Sequence, residues 1–404
     1  MATLHWTGAA STDLNNPANF VTDGANGTSA ASAFSSSDPT NDDIVIQSVA
    51  LSNVTQNPTV NANVTFKSLL QDAGSTLTGN ASYSISISSR DGTTGKSVDM
   101  NGATSGEVNI IIINNLDNDL DLGDDKIHDL TINNDTAARK NYLAANTAIT
   151  GDLIITRGIF NTFNREFEAD GDCSIAANGT LDANTNGSQA LTLGTLEIAD
   201  GGTFIATSGT TTITENSNGG NVWQNLETDG TGFVHNNGTV YIKGLDNYNG
   251  NVVLYENTFY NLTVNMNSSS NNCYWNDISG GAMEILGDLT IIKGEWEKQV
   301  SGDTLTIHGN TYVEADGFFH TDSHTHTGQI THHGLVTNSG TYKTAAGDKN
   351  ALNGGIRNLG TFTSDDTVTI GGTGGILEGN LDDAIIDVNL DSAFYVSDSD
   401  TDYA

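Results

Sequence analysis

A short pattern that recurs along the chain constrains the fold more than any other feature of this sequence. The pattern spans seven positions: an aliphatic residue, three variable residues, a glycine, usually a threonine, and an apolar or aromatic residue. It occurs at Ile175-Ala-Ala-Asn-Gly-Thr-Leu181 and again at Ile198-Ala-Asp-Gly-Gly-Thr-Phe204. Further copies lie at 234–240, 313–319, 336–342 and 356–362.

Each copy of the pattern has a simple structural interpretation. The first aliphatic side chain points inward from one strand, the polar residues and the glycine form a corner, and the last apolar side chain points inward from the next strand. A single coil of this kind cannot bury its inner face, so neighbouring coils must stack. The pattern therefore predicts an all-β protein, a β-solenoid with stacked coils of about 20–25 residues.

A longer repeat is superimposed on the short one and indicates an internal duplication. Gly151-Asp-Leu-Ile-Ile155 matches Gly287-Asp-Leu-Thr-Ile291. Further along, Gly179 matches Gly317 and Gly202 matches Gly340, both at one constant offset. Between these two sets of matches the offset changes only by a loop-sized insertion, as expected for two copies of one multi-coil module. We therefore expect Gly179 to superpose on Gly317 and Gly202 on Gly340.

The repeats divide the chain into four predicted regions. These are an N-terminal β domain or cap at 1–82, a first solenoid module at 83–248, a second module at 249–375, and an acidic C-terminal tail or cap at 376–404. No proline follows Pro58, so the N-terminal region is expected to be built differently from the coils. Within the modules, the first residue of each pattern should point inward, and Ile175, Ile198, Val313 and Val336 should be buried.

Charge excludes two classes of partner. The chain has 14 Lys and Arg against 49 Asp and Glu, a net charge of −35. A surface that binds nucleic acid must be basic in order to displace counterions, and anionic membrane surfaces repel an acidic chain. We therefore expect no nucleic-acid partner. No apolar run approaches the roughly 18 residues of a membrane span, and no signal-peptide pattern is present, so no membrane insertion is expected.

The N-terminal residues resemble a known signature. Trp6-Thr-Gly8 is followed by Ser11-Thr-Asp13 and then by Asn16-Pro-Ala-Asn-Phe20. This order resembles the opening of β-solenoids of bacteriophage virions and bacterial surfaces, although Leu14 and Phe20 stand where Trp is usual. The resemblance implies an architecture rather than an activity. Surface relatives that are secreted carry signal peptides and sorting domains, so the sequence favours a phage protein that is assembled in the host cytoplasm and is extracellular on the released virion surface.

The function implied by this resemblance is structural. We expect a non-enzymatic virion protein, either a tail fibre or appendage or a capsid decoration protein, with other virion proteins as partners. Parallel fibres of this type usually trimerise, so the resemblance also implies a homo-oligomer, specifically a homotrimer. One alternative is a tailspike that binds or cleaves a host surface glycan. A further alternative is a bacterial surface adhesin.

Two motifs resemble ligand-binding loops. Gly92-Thr-Thr-Gly-Lys-Ser97 ends like a phosphate-binding loop, but Arg90 occupies the position of the first required glycine, so a turn is expected. Asp117–Asp125 resembles a calcium loop whose closing carboxylate is replaced by His128, so a solvated strand face is expected, with a loose calcium site as the alternative.

Other candidate residues are aromatic or sulfur-containing. The two cysteines, Cys173 and Cys273, lack disulfide or metal spacing and are expected to be buried free thiols. Four aromatic residues either stack on sugar rings or fill the coil interior: Trp223, Tyr274, Trp275 and Trp296. We predict no catalytic residue and no cofactor.

Five of the nine histidines lie in one stretch, at positions 320, 324, 326, 332 and 333. His324 and His326 would share one side of a strand. A similar His-x-His motif binds an axial ion in trimeric phage spikes, so the resemblance implies an iron or zinc site as one alternative. A polar loop with solvated histidines is the expected state of His320–His333.

Overall fold

The computed structural model describes residues 3–31, 42–91, 94–114, 116–184, 187–214, 220–227, 231–244, 252–256, 258–276, 282–298, 304–320, 328–344, 349–371, 376–377, 386–389 and 395–396. The chain forms two compact units, here called unit 1 (Met1–Leu193 with Gly201–Ala206) and unit 2 (Gly194–Asp200 with Thr207–Ala404). Among the described residues, the only helical segment is a single 3₁₀ turn, Pro17–Asn19. The protein is all-β, as predicted.

Unit 1 consists of short strands joined by tight corners. Its strands are β1 (Thr3–Trp6), β2 (Phe20–Val21), β3 (Asp43–Ile46), β4 (Val64–Phe66), β5 (Ser68–Gln71), β6 (Thr76–Thr78), β7 (Ser84–Ile87), β8 (Lys96–Met100), β9 (Ala103–Ser105), β10 (Asn109–Ile112), β11 (Asn118–Asp121), β12 (Leu130–Asn133), β13 (Lys140–Leu143), β14 (Thr147–Ile149), β15 (Leu153–Asn161), β16 (Phe167–Asp182), β17 (Leu191–Ile198, whose residues are divided between the two units) and β18 (Thr203–Ile205).

Unit 2 continues the same style of structure. Its strands are β19 (Thr210–Ile213), β20 (Gly220–Asn225), β21 (Phe233–Val234), β22 (Thr239–Lys243), β23 (Val252–Tyr255), β24 (Thr258–Phe259), β25 (Asn261–Asn265), β26 (Asn272–Asn276), β27 (Ala282–Ile285), β28 (Leu289–Lys298), β29 (Thr304–Ile307), β30 (Thr311–His320), β31 (Gln329–His332), β32 (Val336–Asn338), β33 (Thr341–Thr344), β34 (Lys349–Leu352), β35 (Ile356–Asn358), β36 (Thr361–Ser364), β37 (Val368–Gly371), β38 (Ile376–Leu377), β39 (Ile386–Asn389) and β40 (Tyr395–Val396).

Parallel pairing between successive coils defines the β-solenoid in unit 1. Leu130 pairs with Leu153, and Leu153 pairs with Cys173, so one coil separates each residue from the next. The stack begins at the first described strand, because β1 pairs in parallel with β3 and places Leu4 beside Ile44. In contrast, β2 folds back antiparallel onto β1.

Unit 2 shows the same stacking. Leu262 pairs with Leu289, Leu289 with Thr311, Thr311 with Val336, and Val336 with Ile356. The coil from Leu262 to Leu289 is the longest of these four. The other three, like the two coils of unit 1, confirm the predicted length of about 20–25 residues.

Columns of aliphatic side chains form the core of each unit. In unit 1, Ile132 pairs with Ile155 and Ile155 with Ile175, and all three side chains face inward with at most 1% exposure. Strand residues alternate between the two faces, so each coil adds one such side chain to the column. The four pattern residues named for burial are buried, as predicted: Ile175, Ile198, Val313 and Val336. Ile356 also points inward and is buried.

One residue of the pattern is placed differently. Val234 is predicted to face inward, but it is 41% exposed, and Phe233 is buried in its place. The Phe233 ring packs edge-on against Trp223 with the centroids 4.8 Å apart, and it also contacts Phe259. The larger ring fills more of the interior than valine would, and its position shifts the inward face by one residue. The prediction for Val234 is wrong for this reason.

The internal duplication is visible in matching corners. In unit 1 the coil pairs Gly158 with Gly179, and in unit 2 the equivalent coil pairs Gly294 with Gly317. A Cβ atom at Gly179 would lie 2.4 Å from the Ile155 carbonyl oxygen, and one at Gly317 would lie 2.3 Å from the equivalent carbonyl of the second copy. The two glycines therefore occupy the same environment, as predicted. The module boundaries at 82, 248 and 375 remain predictions.

The next coil keeps the same register in both copies. Leu181 pairs with Phe204 in unit 1, and Phe319 pairs with Tyr342 in unit 2. The same sequence offset relates these two pairs and relates Gly202 to Gly340. In the second copy the inward residues are aromatic, and the rings of Phe319, Tyr342 and Phe362 stack with centroids 4.6 and 5.0 Å apart.

A column of Asp and Asn side chains runs along one corner of each unit, and we call it the corner ladder. In unit 1 the Asp129 carboxylate accepts the backbone N–H of Asp152 at 2.9 Å, and Asp152 accepts that of Asp172 at 2.8 Å. In unit 2, Asn261 accepts from Asp288 at 2.8 Å, and Asp288 accepts from Asn310 at 2.7 Å. The ladder explains why Gly-Asp recurs in both copies.

The glycines of these Gly-Asp steps leave room for the ladder. A Cβ atom at Gly171 would lie 2.2 Å from Asp152 Oδ1, and one at Gly309 would lie 2.4 Å from Asp288 Oδ1. A side chain at either position would displace the carboxylate that bonds the next residue's N–H. Glycine is therefore required at these positions, where the aspartate carboxylate of the previous coil lies against the backbone.

The N-terminal signature residues form a closely bonded layer. The Trp6 indole is fully buried, donates a hydrogen bond to the Gln56 carbonyl at 2.7 Å, and packs edge-on against Phe20. The buried Asn19 side chain accepts the N–H groups of Ala10 and Ser11 through Oδ1, at 2.9 and 2.7 Å. The signature thus has a structural role, since its residues hold the first loop against the first strand.

Candidate functional site

The tryptophans singled out in the sequence fill the interior. Trp223, Trp275 and Trp296 are each at most 1% exposed. Trp223 contacts Phe259 edge-on with the ring centroids 5.3 Å apart. These rings are therefore part of the core rather than platforms for sugars. Tyr274 differs, because it is half-buried on the outer face of β26.

The aspartate run forms a strand, as expected. Asn118–Asp121 is β11, with Leu120 inward and Asp119 exposed. The carboxylates on either side of this strand bind separate partners. Asp117 accepts the Lys140 N–H at 3.0 Å, and Asp124 accepts a backbone N–H at 3.1 Å.

The lysine of the phosphate-loop-like motif belongs to the same region. Lys96 begins β8, and its ammonium group lies 2.9 Å from the carboxylates of both Asp99 and Asp121. The described part of the motif forms a turn, in which Gly95 has a φ of 77° and donates its N–H to the Asp91 carbonyl. Gly92 and Thr93 lie outside the described residues. These contacts agree with the predicted turn.

The histidine stretch is spread over different environments. His324 and His326 lie outside the described residues. His332 is fully buried, and its ring nitrogens hydrogen-bond Thr311 Oγ1 at 2.8 Å and Tyr342 Oη at 2.9 Å. Burial, together with the charge of His333, lowers the pKa of His332 to about 3. The expectation of a polar loop with solvated rings is wrong for His332, because it alternates inward on β31 and finds two hydroxyl partners there. It is also wrong for His320, which lies at the end of β30 with its side chain 11% exposed.

Two further sequence expectations concern exposed and buried side chains. His333 is exposed, and its ring stacks on that of His308 with the centroids 5.2 Å apart. Cys173 and Cys273 are buried free thiols, as predicted. Burial raises the pKa of the Cys173 thiol, so it stays protonated and unreactive at neutral pH.

A shallow groove of about 420 Å³ is lined by residues of four successive coils. Carboxylates line it: Asp124, Glu166 and Glu168. Glu166 is held by Asn146 through two hydrogen bonds of 3.2 Å, one from the Asn146 amide and one to its Oδ1. Phe167, the aromatic residue of the lining, is only 2% exposed. The groove is therefore polar and acidic, and it offers hydrogen-bond acceptors rather than a stacking surface.

Three potential ligand residues meet on the outer face of unit 2, and we call them the outer triad: Glu295, Glu297 and His320. One ligand atom of each lies within 4.8 Å of one ligand atom of the other two. Among the described residues, this is the one such group of His, Cys, Asp and Glu side chains.

The strand geometry positions the outer triad. Glu295 and Glu297 are two residues apart on β28, so both project from the same face while Trp296 points into the core. Strand β30 lies on the next coil, and its parallel register places His320 directly beside Glu297. His320 Nδ1 lies 2.5 Å from Glu295 Oε1, so the imidazole bridges the two strands.

The surroundings of the outer triad are largely dry. Glu297 is 6% exposed, and the side chains of His320 and Glu295 are 11% and 21% exposed. The Asn272 amide on the previous coil donates to Glu297 Oε2 at 2.5 Å. The Phe318 ring covers His320 edge-on, with the centroids 5.4 Å apart. Two carboxylates and one imidazole therefore share a space with little water.

Sequence reasoning missed the outer triad, although a signal was present. Gly317 is the corner glycine of one copy of the short pattern, and it pairs with Gly294 of the previous coil in the structure. Glu297 lies three positions after Gly294, and His320 lies three positions after Gly317. Aligning the two coils on their glycines therefore brings these residues together. The predicted metal candidates lay instead at His324 and His326.

Comparison with protein-family models, curated proteins and solved structures finds no match to this chain. Among the described residues, no helix has the length and apolar character needed to cross a membrane.

Proposed function

We propose that this chain is a non-enzymatic structural protein of a bacteriophage virion, exposed on the particle surface as a tail fibre or appendage or as a capsid decoration. The observation that carries the proposal is the continuous stacking of parallel coils within each unit, fixed by side-chain ladders. The resemblance of the Trp6–Phe20 signature to virion β-solenoids supports it.

The stacking suits a mechanical role. Each coil is bonded to the next by its parallel backbone ladder, by the corner ladder and by inward columns such as Ile132, Ile155 and Ile175. Bending would stretch many of these contacts at once, because all three kinds join every coil to its neighbours. Loops at the corners remain free to differ between coils and to present contacts to a partner.

The charge suits a protein exposed to open solution. A net charge of −35 favours solubility and keeps copies from associating nonspecifically. A specific partner must therefore supply basic groups, or must bind where the acidic residues are already paired, as Asp99 and Asp121 are with Lys96. Other virion proteins with basic patches fit this requirement.

Immunogold labelling tests the proposal. Phage particles are purified from lysates of the source strain and incubated with affinity-purified antibody raised against this chain. We expect gold at a defined position on the particle and the chain in the proteome of the purified particles. Particles that contain capsid and tail proteins but lack this chain would contradict the proposal. Mass photometry of the purified chain tests the homotrimer, and a monomer at micromolar concentration would contradict that part.

The acidic groove favours a second candidate function, a tailspike that binds or cleaves a host surface glycan. Glu166 and Glu168 flank Phe167 at the start of β16, and Asp124 lies two coils earlier. Paired carboxylates are what glycoside cleavage uses. Incubation with purified host polysaccharide distinguishes the two functions. New reducing or unsaturated ends that disappear in Glu168→Gln would support cleavage and contradict the purely structural role.

A further inference from the structure

We propose that Glu295, Glu297 and His320 bind one divalent transition-metal ion, with zinc as the first candidate, and that the ion fastens two adjacent coils of unit 2 together. This site is separate from the proposed virion role and does not depend on it.

The first argument is geometric. The three ligand atoms lie within 4.8 Å of one another, and a zinc ion holds nitrogen and oxygen ligands at about 2.0–2.2 Å. Ligands on opposite sides of such an ion are about 4.2 Å apart, so small side-chain rotations bring all three atoms onto it. The rotations are small because backbone register already places Glu297 beside His320, and alternation places Glu295 on the same face.

The second argument concerns charge. Glu297 is 6% exposed and has the second carboxylate, Glu295, close by on the same strand face. Buried like charges are costly unless a cation or several hydrogen bonds compensate them. Of the contacts described for these two carboxylates, the Asn272 amide is a neutral donor and His320 carries at most one positive charge. A divalent ion would balance both carboxylates together.

The third argument is an unused ligand atom. His320 Nε2 is buried and has no hydrogen-bond partner among the described residues, while Nδ1 faces Glu295. A buried polar atom without a partner is uncommon and requires a physical explanation. An ion bound at Nε2 would supply the missing partner, while Nδ1 keeps its contact with Glu295.

The ligand set selects the class of ion. Calcium and magnesium prefer oxygen ligands alone, whereas an imidazole nitrogen with carboxylate oxygens suits zinc and its first-row neighbours. Solvent has access on the Glu295 side, where the side chain is 21% exposed, and water can complete the coordination there. The Asn272 amide orients Glu297 in the way that outer partners orient ligands in metal sites.

Calorimetric titration of the full chain tests the site. The protein is stripped with chelator, dialysed into buffer with about 150 mM NaCl to screen the acidic surface, and titrated with zinc chloride and separately with calcium chloride. We expect one zinc ion per chain at the strongest site, and no calcium binding of comparable affinity. In His320→Gln and in Glu297→Gln, zinc affinity should fall at least about tenfold.

His333→Gln is the matched control, since it removes an exposed imidazole outside the triad. It should bind zinc like the unsubstituted protein. Equal zinc affinity in all four proteins would overturn the proposal and assign the binding to the acidic surface. Circular dichroism of the metal-free variants establishes that they are folded.

A spectroscopic measurement covers the case in which a variant does not fold. X-ray absorption of the unsubstituted protein with one zinc equivalent should show one imidazole and oxygen ligands at about 2.0–2.2 Å. A shell with water oxygens only, or with two or more imidazoles, would contradict the triad. Zinc should also raise the midpoint of thermal unfolding, and the increase should be absent in His320→Gln.

Discussion

The Asp152 carboxylate accepts the backbone N–H of Asp172, one coil further along the solenoid, at 2.8 Å. This hydrogen bond is one step of the corner ladder. One coil earlier, the Asp129 carboxylate accepts the N–H of Asp152 in the same manner. The geometry brings three carboxylates of successive coils close together. Burial raises the pKa of Asp152, the hydrogen bond from Asp172 opposes this, and the charges of Asp129 and Asp172 raise it further.

The first prediction is that Asp152→Asn stabilises the protein at pH 7. An asparagine keeps the Oδ1 acceptor but removes the negative charge between Asp129 and Asp172. The gain should be below about 1 kcal/mol, because the site is partly solvated and the amide is a weaker acceptor than the carboxylate. Since the pKa is raised in the folded state, the advantage should shrink as the pH falls through that raised pKa, where folded Asp152 takes up a proton. The advantage should be gone below the ordinary value of 3.8, where Asp152 is protonated in both states.

Asp288→Asn is the matched control for this prediction. Asp288 occupies the same place in the second corner ladder, but its ladder neighbours are the uncharged Asn261 and Asn310. Its substitution should therefore be neutral or slightly destabilising. Thermal unfolding followed by circular dichroism between pH 4 and 8 compares the two variants. Equal shifts in both would show that charge repulsion along the ladder is not the cause.

The second prediction concerns the interior column. Ile175→Ala should lower the free energy of unfolding by about 2–4 kcal/mol, because it removes buried methyl and methylene groups next to Ile155 in the interior column. Val234→Ala is the control and should change stability by less than about 0.5 kcal/mol, since Val234 is 41% exposed. Urea denaturation monitored by tryptophan fluorescence measures both. A similar loss in the two variants would contradict the assigned inward face.

The periodic pattern predicts the coils well because burial itself imposes the period. Ile175 faces inward in the first copy, and its equivalent Val313 faces inward in the second. Glycine is required at the corner positions Gly179 and Gly317 because a close backbone contact excludes a side chain there. Val234 shows the limit of this reasoning. Its place depends on whether Phe233 fits the interior beside Trp223, and that depends on packing between coils rather than on the local pattern.

The outer triad was harder to predict for a related reason. Glu295 and Glu297 are two among 49 acidic residues, and nothing local distinguishes them. Their relation to His320 depends on the register between two coils, which varies because coils differ in length. The histidine pair at 324 and 326 is conspicuous through its spacing alone, whereas neighbours across a ladder are separated by a whole coil in sequence.

The third prediction tests the structural role of the N-terminal signature. Asn19→Ala should destabilise the N-terminal layer by about 1–3 kcal/mol, because it leaves the N–H groups of Ala10 and Ser11 without their acceptor. Asn16→Ala is the control, since Asn16 is half-buried and its side chain accepts the N–H of Ala18 at the exposed start of the 3₁₀ turn. Hydrogen exchange measured by mass spectrometry should show faster exchange over residues 3–20 in Asn19→Ala alone. Unchanged exchange there would contradict the role of Asn19.

The fourth prediction concerns His332 and the acid limit of stability. Burial, followed by the charge of His333, lowers its pKa from 6.5 to about 3, so the ring is neutral in the folded protein while the unfolded chain takes up a proton below pH 6.5. Stability that depends on a neutral His332 is thus complete above pH 6.5 and is lost progressively as the pH falls from 6.5 towards 3.

Selective carbon-13 labelling of the histidine rings checks this directly by NMR, with His332→Gln providing the assignment. The His332 resonance should stay at its neutral position at pH 5, while the exposed His333 provides a comparison in the same spectra. A His332 resonance that titrates near pH 6.5 would show that the ring is solvated and that its bonds to Thr311 and Tyr342 are absent in solution. The neutral ring is expected because a proton on His332 would place an uncompensated charge between two hydroxyl groups in the core.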